Sequence, residues 1–184
     1  MTDWRAQPSS GGVSGSADFH RLYSTHAPYL FRVLERLGAR SSALEDLVHD
    51  VFVAAWRSWG RVDQDRPMKP WLFGIAYRVM LDHHRLRSTH SESPTAAPPE
   101  RADEAQGPAE ALTRRQGLTL AARIISGLEL ARRTVFVMHE LEELTMPEIA
   151  QALEVPLNTA YSRLRLARRD FAQAAAAMEV SDGS

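Results

Sequence analysis

The chain contains no cysteine. That excludes disulfides, thiol chemistry and any zinc site built on cysteine, and it fits a reducing compartment. Nowhere do about 18 apolar residues run together, so no membrane span or membrane insertion is expected. The opening stretch MTDWRAQPSSGGVSGSAD has no apolar core, so no signal peptide is expected and a cytoplasmic location follows. Alternating β-branched runs bounded by turns are also missing, as is any internal repeat, which leaves an all-α fold. No glycine-rich phosphate loop and no nucleophile elbow occur. Nothing in the chain asks for catalysis or a cofactor.

What is present is a soluble composition, 44% hydrophobic and 24% charged, with a formal net charge of −1. That average conceals a strong asymmetry. Residues 91–110 carry Glu92, Glu100, Asp103, Glu104 and Glu110 against Arg101 alone. Residues 162–169 carry Arg163, Arg165, Arg168 and Arg169 with no acid before Asp170. Local fields, not the net charge, decide what a polyanion feels.

The organisation follows from the same features. Residues 1–17 offer little to bury and read as a disordered tail. Two helical blocks occupy 18–87 and 109–178. Between them, 88–108 is acidic and broken by Pro94, Pro98, Pro99 and Pro108, which makes it a flexible tether. In the first block, Leu44, Leu47, Val48, Val51, Phe52, Ala55 and Trp59 form an apolar stripe at helical spacing. Ser42 and Glu45 have the spacing of a capping box at its start. Asp46, His49, Asp50 and Arg57 fall on the opposite face. An earlier stretch, 19–37, supplies Leu22, Tyr23, Tyr29, Leu30, Val33, Leu34 and Leu37, with Pro28 placed at the first turn of a second segment. A third helix opens at Pro70, burying Trp71, Leu72, Ile75, Ala76 and Val79 and leaving Arg78, Asp82 and Arg85 outside.

The second block ends in LTMPEIAQALEVPLNTAYSRLRLARRDF. Thr145 and Glu148 form a second capping box, with Pro147 tolerated in the first turn. The helix reaches Leu153, a Glu154-Val155-Pro156 turn follows, and a second helix starts near Asn158. This is a helix-turn-helix. A hairpin packed inside a domain has the same outline, and the arginines on the second helix argue against it. Ala160, Leu164 and Ala167 face inward, which leaves Tyr161, Ser162, Arg165 and Arg169 able to reach a groove, where arginine suits guanine edges and phosphates alike. His83, His84 and His90 do not make a metal site, since adjacent histidines point to different sides of a helix. Asp46 and Asp50 lack a third ligand. No metal is expected.

Three segments together resemble the extracytoplasmic-function sigma factors of the sigma-70 family. ALEDLVHDVFVAAWRSW is similar to the helix with which those proteins grip the clamp helices of RNA polymerase. PWLFGIAYRVMLDHHRLR is similar to their segment that melts and reads the −10 element. RRTVFVMHELEELTMPEIAQALEVPLNTAYSRLRLAR is similar to their −35-binding helix-turn-helix. The resemblance covers Phe19 to Ala174 and implies two small domains, a sigma-2-like bundle and a sigma-4-like helix-turn-helix.

Carried onto this sequence, it implies polymerase contacts at Asp46, His49, Asp50 and Trp56, with Phe52 assigned to the core. It implies capture of unstacked −10 bases by Phe73, Tyr77 and Arg78, with Arg85 and Arg87 on phosphates. For the −35 duplex it implies Asn158, Thr159, Tyr161, Ser162, Arg163, Arg165, Arg168 and Arg169. The expected partners are core RNA polymerase, promoter DNA as −10 single strand and −35 duplex, and an anti-sigma factor.

The sequence also departs from the family pattern. Arg78 stands where asparagine is usual, and Tyr77 where arginine or valine is frequent. Tyr161 and Leu166 occupy positions where basic residues are frequent, and Glu143 replaces a common glycine. These departures shift the expected promoter preference. Two competing functions remain: a duplex-binding regulator that needs no polymerase, and a sigma paralogue that serves only as an interaction module.

Overall fold

The computed structural model describes residues 13–63, 67–88 and 108–182. Among them the chain forms α1 (Val13–Arg36), α2 (Leu44–Ser58), α3 (Met68–Ser88), α4 (Pro108–Gly127), α5 (Leu130–Phe136), α6 (Met146–Ala152) and α7 (Leu157–Asp182). No strand occurs among the described residues. Two compact units result, one centred on α1–α3 and one on α4–α7. Most of the tether expected at 88–108 lies outside the described residues, as do residues 1–12 of the expected tail. The helix backbone itself begins at Val13, inside that tail.

In the N-terminal unit the expected stripe of α2 is the core: Leu44, Leu47, Val48, Val51, Phe52 and Ala55 are all buried, as is Trp59 just beyond it. Leu22, Tyr29, Leu30, Val33 and Leu34 of α1 and Leu72, Ile75, Ala76 and Met80 of α3 are buried with them. Each such aliphatic side chain contributes about 1.5–3 kcal/mol.

Two expectations need correction here. Pro28 does not open a new segment, because α1 runs unbroken through it. Proline forfeits one backbone bond, and the buried residues on both sides of it keep the helix whole. The Ser42–Glu45 box does not form either. A 3-10 turn occupies Ser41–Ala43, so Ala43 becomes the cap position and no side chain bonds there. Helix α3 starts at Met68, two residues earlier than expected, with Pro70 in its first turn, where its missing N–H is harmless.

In the C-terminal unit, Val135, Val137, Met138, Ile149, Ala150, Ala160, Leu164 and Ala167 form the core. Phe136 stacks on Phe171 of α7 at 5.2 Å between ring centroids. Glu129 caps α5, its carboxylate accepting from the N–H groups of Ala131 and Arg132. Arg133 is buried, and its guanidinium donates to the carbonyls of Ser126 and Leu128 that link α4 to α5. Burial lowers its pKa, against an opposing pull from Glu129.

Helix ends explain two unusual residues. Helix α6 closes with the N–H of Glu154 on Gln151 O and that of Val155 on Ala150 O, the paired bonds of a Schellman ending. This ending places Glu154 at φ 54°. Helix α5 passes into a π turn at Val137–Leu141. That turn closes one residue wider, with Leu144 N–H on Met138 O and Glu143 at φ 55°. Left-handed backbone costs a non-glycine residue about 1–2 kcal/mol. The glycine usual in the family at position 143 therefore has a physical reason. Glu143→Gly should raise the stability of this unit by about 0.5 kcal/mol after the extra unfolded-state entropy of glycine is deducted. Thermal unfolding of the variant checks this, and a lowered midpoint would contradict it.

Candidate nucleic-acid interface

The turn between α6 and α7 sets the angle at which α7 leaves the C-terminal unit, and the burial of α7 then decides what it shows. Ala160, Leu164 and Ala167 are buried, so the side opposite them faces out. At 3.6 residues per turn, Asn158, Tyr161, Ser162, Arg168 and Arg169 all fall within about 60° of Arg165 around the axis. All six are exposed, Tyr161 by 52%. Tyr161, Arg165 and Arg168 line one open groove with Thr145 and Pro147 at the start of α6 and with His139 from the π turn. Arg163 stands apart. It lies roughly 160° from Arg165, is half-buried, and keeps a buried Nη1 without a hydrogen-bond partner among the described residues. Thr159 is half-buried on the same flank. The structure thus gathers six of the eight expected duplex contacts and separates Thr159 and Arg163 from them.

The arginines are not equivalent. Arg169 bonds to Asp170 at 2.9 Å, and Arg132 of α5 reaches the other oxygen of that carboxylate at 2.6 Å. These bonds, from Arg169 first and Arg132 second, hold the Asp170 carboxyl below the ordinary range. Arg168 bonds to Glu140. Arg165 makes no ion pair with a described residue, which leaves its full charge for a polyanion.

At the start of α6, the Glu148 carboxylate accepts from both the N–H and the hydroxyl of Thr145, at 2.8 and 2.6 Å. The expected box is therefore half made, since the hydroxyl donates to the carboxylate and accepts from no backbone N–H of the first turn. The two Thr145 bonds lower the Glu148 pKa. A depressed carboxyl pKa means stabilisation that is present above the unfolded value and lost as pH falls through the folded one. Thr145→Ala removes the hydroxyl bond to Glu148, which should cost about 0.5 kcal/mol near neutral pH and weaken the loss of stability on acidification. An acid titration of the melting temperature tests both.

On the N-terminal unit, Asp46, His49 and Asp50 are exposed along α2. Trp56, 38% exposed, continues that surface in edge contact with Phe19 at 4.8 Å. Tyr23, expected in the core, is 45% exposed and meets Phe52 with ring centroids 4.5 Å apart and the rings tilted by 45°. Phe19 and Tyr23 thereby extend the α2 surface. The sequence reading missed this, although their spacing of four residues on α1 was a signal for a shared face.

The −10 expectations fare differently. Phe73 and Tyr77 are buried, so neither ring is open to an unstacked base; apolar surface inside this helix was filled by the core first. Arg78 is half-buried and Arg85 is exposed, 3.7 Å from Asp82. The side chain of Arg87 lies outside the described residues. The segment before α3 exposes Arg61, and its residues 64–66 lie outside the description; Lys69 is exposed in the first turn of α3. The rings of His83 and His84 diverge, 6.4 Å apart at 81°, and His90 is outside the described residues. Among those residues no cluster of three metal-ligating side chains occurs, and no helix is long and apolar enough to cross a membrane.

An exposed arginine helix behind a tight turn, on a unit separate from a three-helix bundle with an acidic and aromatic face, defines a two-part DNA-binding protein. Sigma-70 region 2 matches residues 22–89, and Sigma-70, region 4 matches residues 118–171. The chain belongs to the sigma-70 family, among the sigma factors of the extracytoplasmic-function type. It is 29% identical to RNA polymerase sigma factor NccH of Alcaligenes xylosoxydans xylosoxydans, covering 82% of each chain. It is 26% identical to ECF RNA polymerase sigma factor SigL of Mycobacterium tuberculosis, covering 89% of this chain and 92% of that one. Among solved structures it is similar to CnrH in complex with the cytosolic domain of CnrY, with a TM-score of 0.62 and 25% identity over 88% of this chain and 90% of that one. The fold also matches RpoE in complex with the anti-sigma factor NepR from Bartonella quintana, with a TM-score of 0.69 over 85% and 96% of the two chains.

Proposed function

We propose that this chain directs core RNA polymerase to particular promoters as an alternative sigma factor and promotes their opening, with no catalytic step of its own and a cytoplasmic site of action. The observation that carries this is the joint presence, in family order, of a polymerase-type face on α2 and a duplex-type face on α7. The proposed polymerase contacts are Asp46, His49, Asp50 and Trp56, an acidic row for a basic groove with an aromatic anchor at its end. The proposed −35 contacts are Asn158, Tyr161, Ser162, Arg165, Arg168 and Arg169. For the −10 element, Arg78 remains the proposed contact to an unstacked base, and Arg85 and Arg87 remain the proposed phosphate contacts. Two related sigma factors are known in complex with a partner, the cytosolic domain of CnrY for one and NepR for the other. That supports an anti-sigma factor as a partner here as well.

Run-off transcription with purified core polymerase tests the function. Promoter-specific transcripts that require the added chain are the expected result. A regulator that binds duplex DNA alone would give binding without transcripts, and an interaction module would bind polymerase without opening DNA.

A further inference from the structure

The ion pair between α7 and the π turn has a use beyond holding the unit together. Arg168 donates from Nε to one oxygen of Glu140 at 2.7 Å, and its Nη2 lies 2.6 Å from that same oxygen. One edge of the guanidinium is thereby occupied, and Nη1 is left out of the pair. The Arg168 side chain is still 55% exposed, and it lines the groove shared with Tyr161 and Arg165.

Glu140 comes to this place through backbone geometry. The π turn adds a residue to the end of α5, and such turns re-aim the side chains that follow. Here the turn puts His139 on the groove wall and the Glu140 carboxylate against Arg168.

We propose that Glu140 is a positioning residue for duplex recognition, holding Arg168 by one edge so that the other is set to read a guanine in the major groove. This rests on the reading of α7 as the duplex-binding helix. A free arginine must give up rotamer freedom on binding, and one already fixed gives up less. The carboxylate also repels phosphates, so it weakens contact with DNA of any sequence while sharpening contact with the right one; specificity is the difference between those two affinities. Arg165 has no such partner among the described residues.

The test uses the full chain bound to core RNA polymerase, offered a pool of duplexes randomised over the upstream promoter element. The wild type should enrich a motif, and Arg168→Ala should flatten the preference at one guanine within it. Glu140→Ala should flatten that same position, lowering the ratio of best to singly substituted duplex about tenfold, while binding to unrelated duplex strengthens. Glu140→Gln, which keeps a neutral acceptor, should retain part of the preference. The double variant Glu140→Ala/Arg168→Ala should discriminate no worse than Arg168→Ala alone, a non-additivity that a merely structural role would not produce. A motif left untouched by Arg168→Ala or by Glu140→Ala overturns this proposal alone. Equal flattening at every position, with a lowered melting temperature, also overturns it. A wild type that enriches no motif removes the reading of α7 and this proposal with it.

Discussion

Asp50→Arg is expected to prevent holoenzyme formation while leaving the helical fold intact. Asp50 sits at the middle of the exposed face of α2, flanked by Asp46 and His49 and followed by the aromatic surface of Trp56. Reversal replaces an attraction for a basic partner with a repulsion, and like charges juxtaposed across an interface cost several kcal/mol. An affinity loss of about a hundredfold or more follows from about 3 kcal/mol. The fold has little reason to respond. The side chain is exposed, and an arginine one turn after Asp46 would gain about 0.2–0.5 kcal/mol from an i, i+4 pair. Co-migration with core polymerase on size exclusion, alongside the circular dichroism spectrum, separates the two effects. A variant that still forms holoenzyme would remove the proposed contact face.

The second large effect is on DNA. Arg165→Ala should weaken binding of the holoenzyme to a promoter duplex by about 1–3 kcal/mol if the guanidinium reads a base edge. If it neutralises a phosphate, the log–log slope of affinity against salt should instead flatten by about 0.9. The double variant with Arg169→Ala should compound the loss. Arg163→Ala is the internal control, because that side chain lies on the other flank of α7 with its Nη1 buried. It should leave the salt slope unchanged. If Arg165→Ala and Arg169→Ala alter neither affinity nor slope, α7 does not lie on DNA as argued. If Arg163→Ala alters the slope as strongly as they do, the exposed face has been drawn on the wrong side of the helix.

Some expectations were legible because they depend on periodicity alone. Leu44 through Trp59 repeat at helical spacing and are buried accordingly, and Ala160, Leu164 and Ala167 orient α7 in the manner their spacing implies. The −10 residues were not legible in that way. Phe73 and Tyr77 are aromatic side chains on a helix with hydrophobic residues on several sides, and spacing cannot say which of them the core will take. The family resemblance names a role for the segment and not the burial of each ring. The Ser42–Glu45 pair illustrates a different limit. A capping box needs its serine at the helix boundary, and a single 3-10 turn moved that boundary by one residue.

The amino-acid order alone determined the helical class, the two blocks with an acidic stretch between them, the helix-turn-helix and the clustering of arginine on its second helix. Each of these follows from local spacing, charge and the conformational limits of proline. Only the tertiary structure decided that Tyr23 and Phe19 extend the α2 surface, and that Glu140 meets Arg168. Those outcomes depend on contacts between residues distant in sequence, and on a π turn whose extra residue no local pattern announces. The pairing of Glu140 with Arg168 spans 28 positions, a separation over which only packing can choose partners.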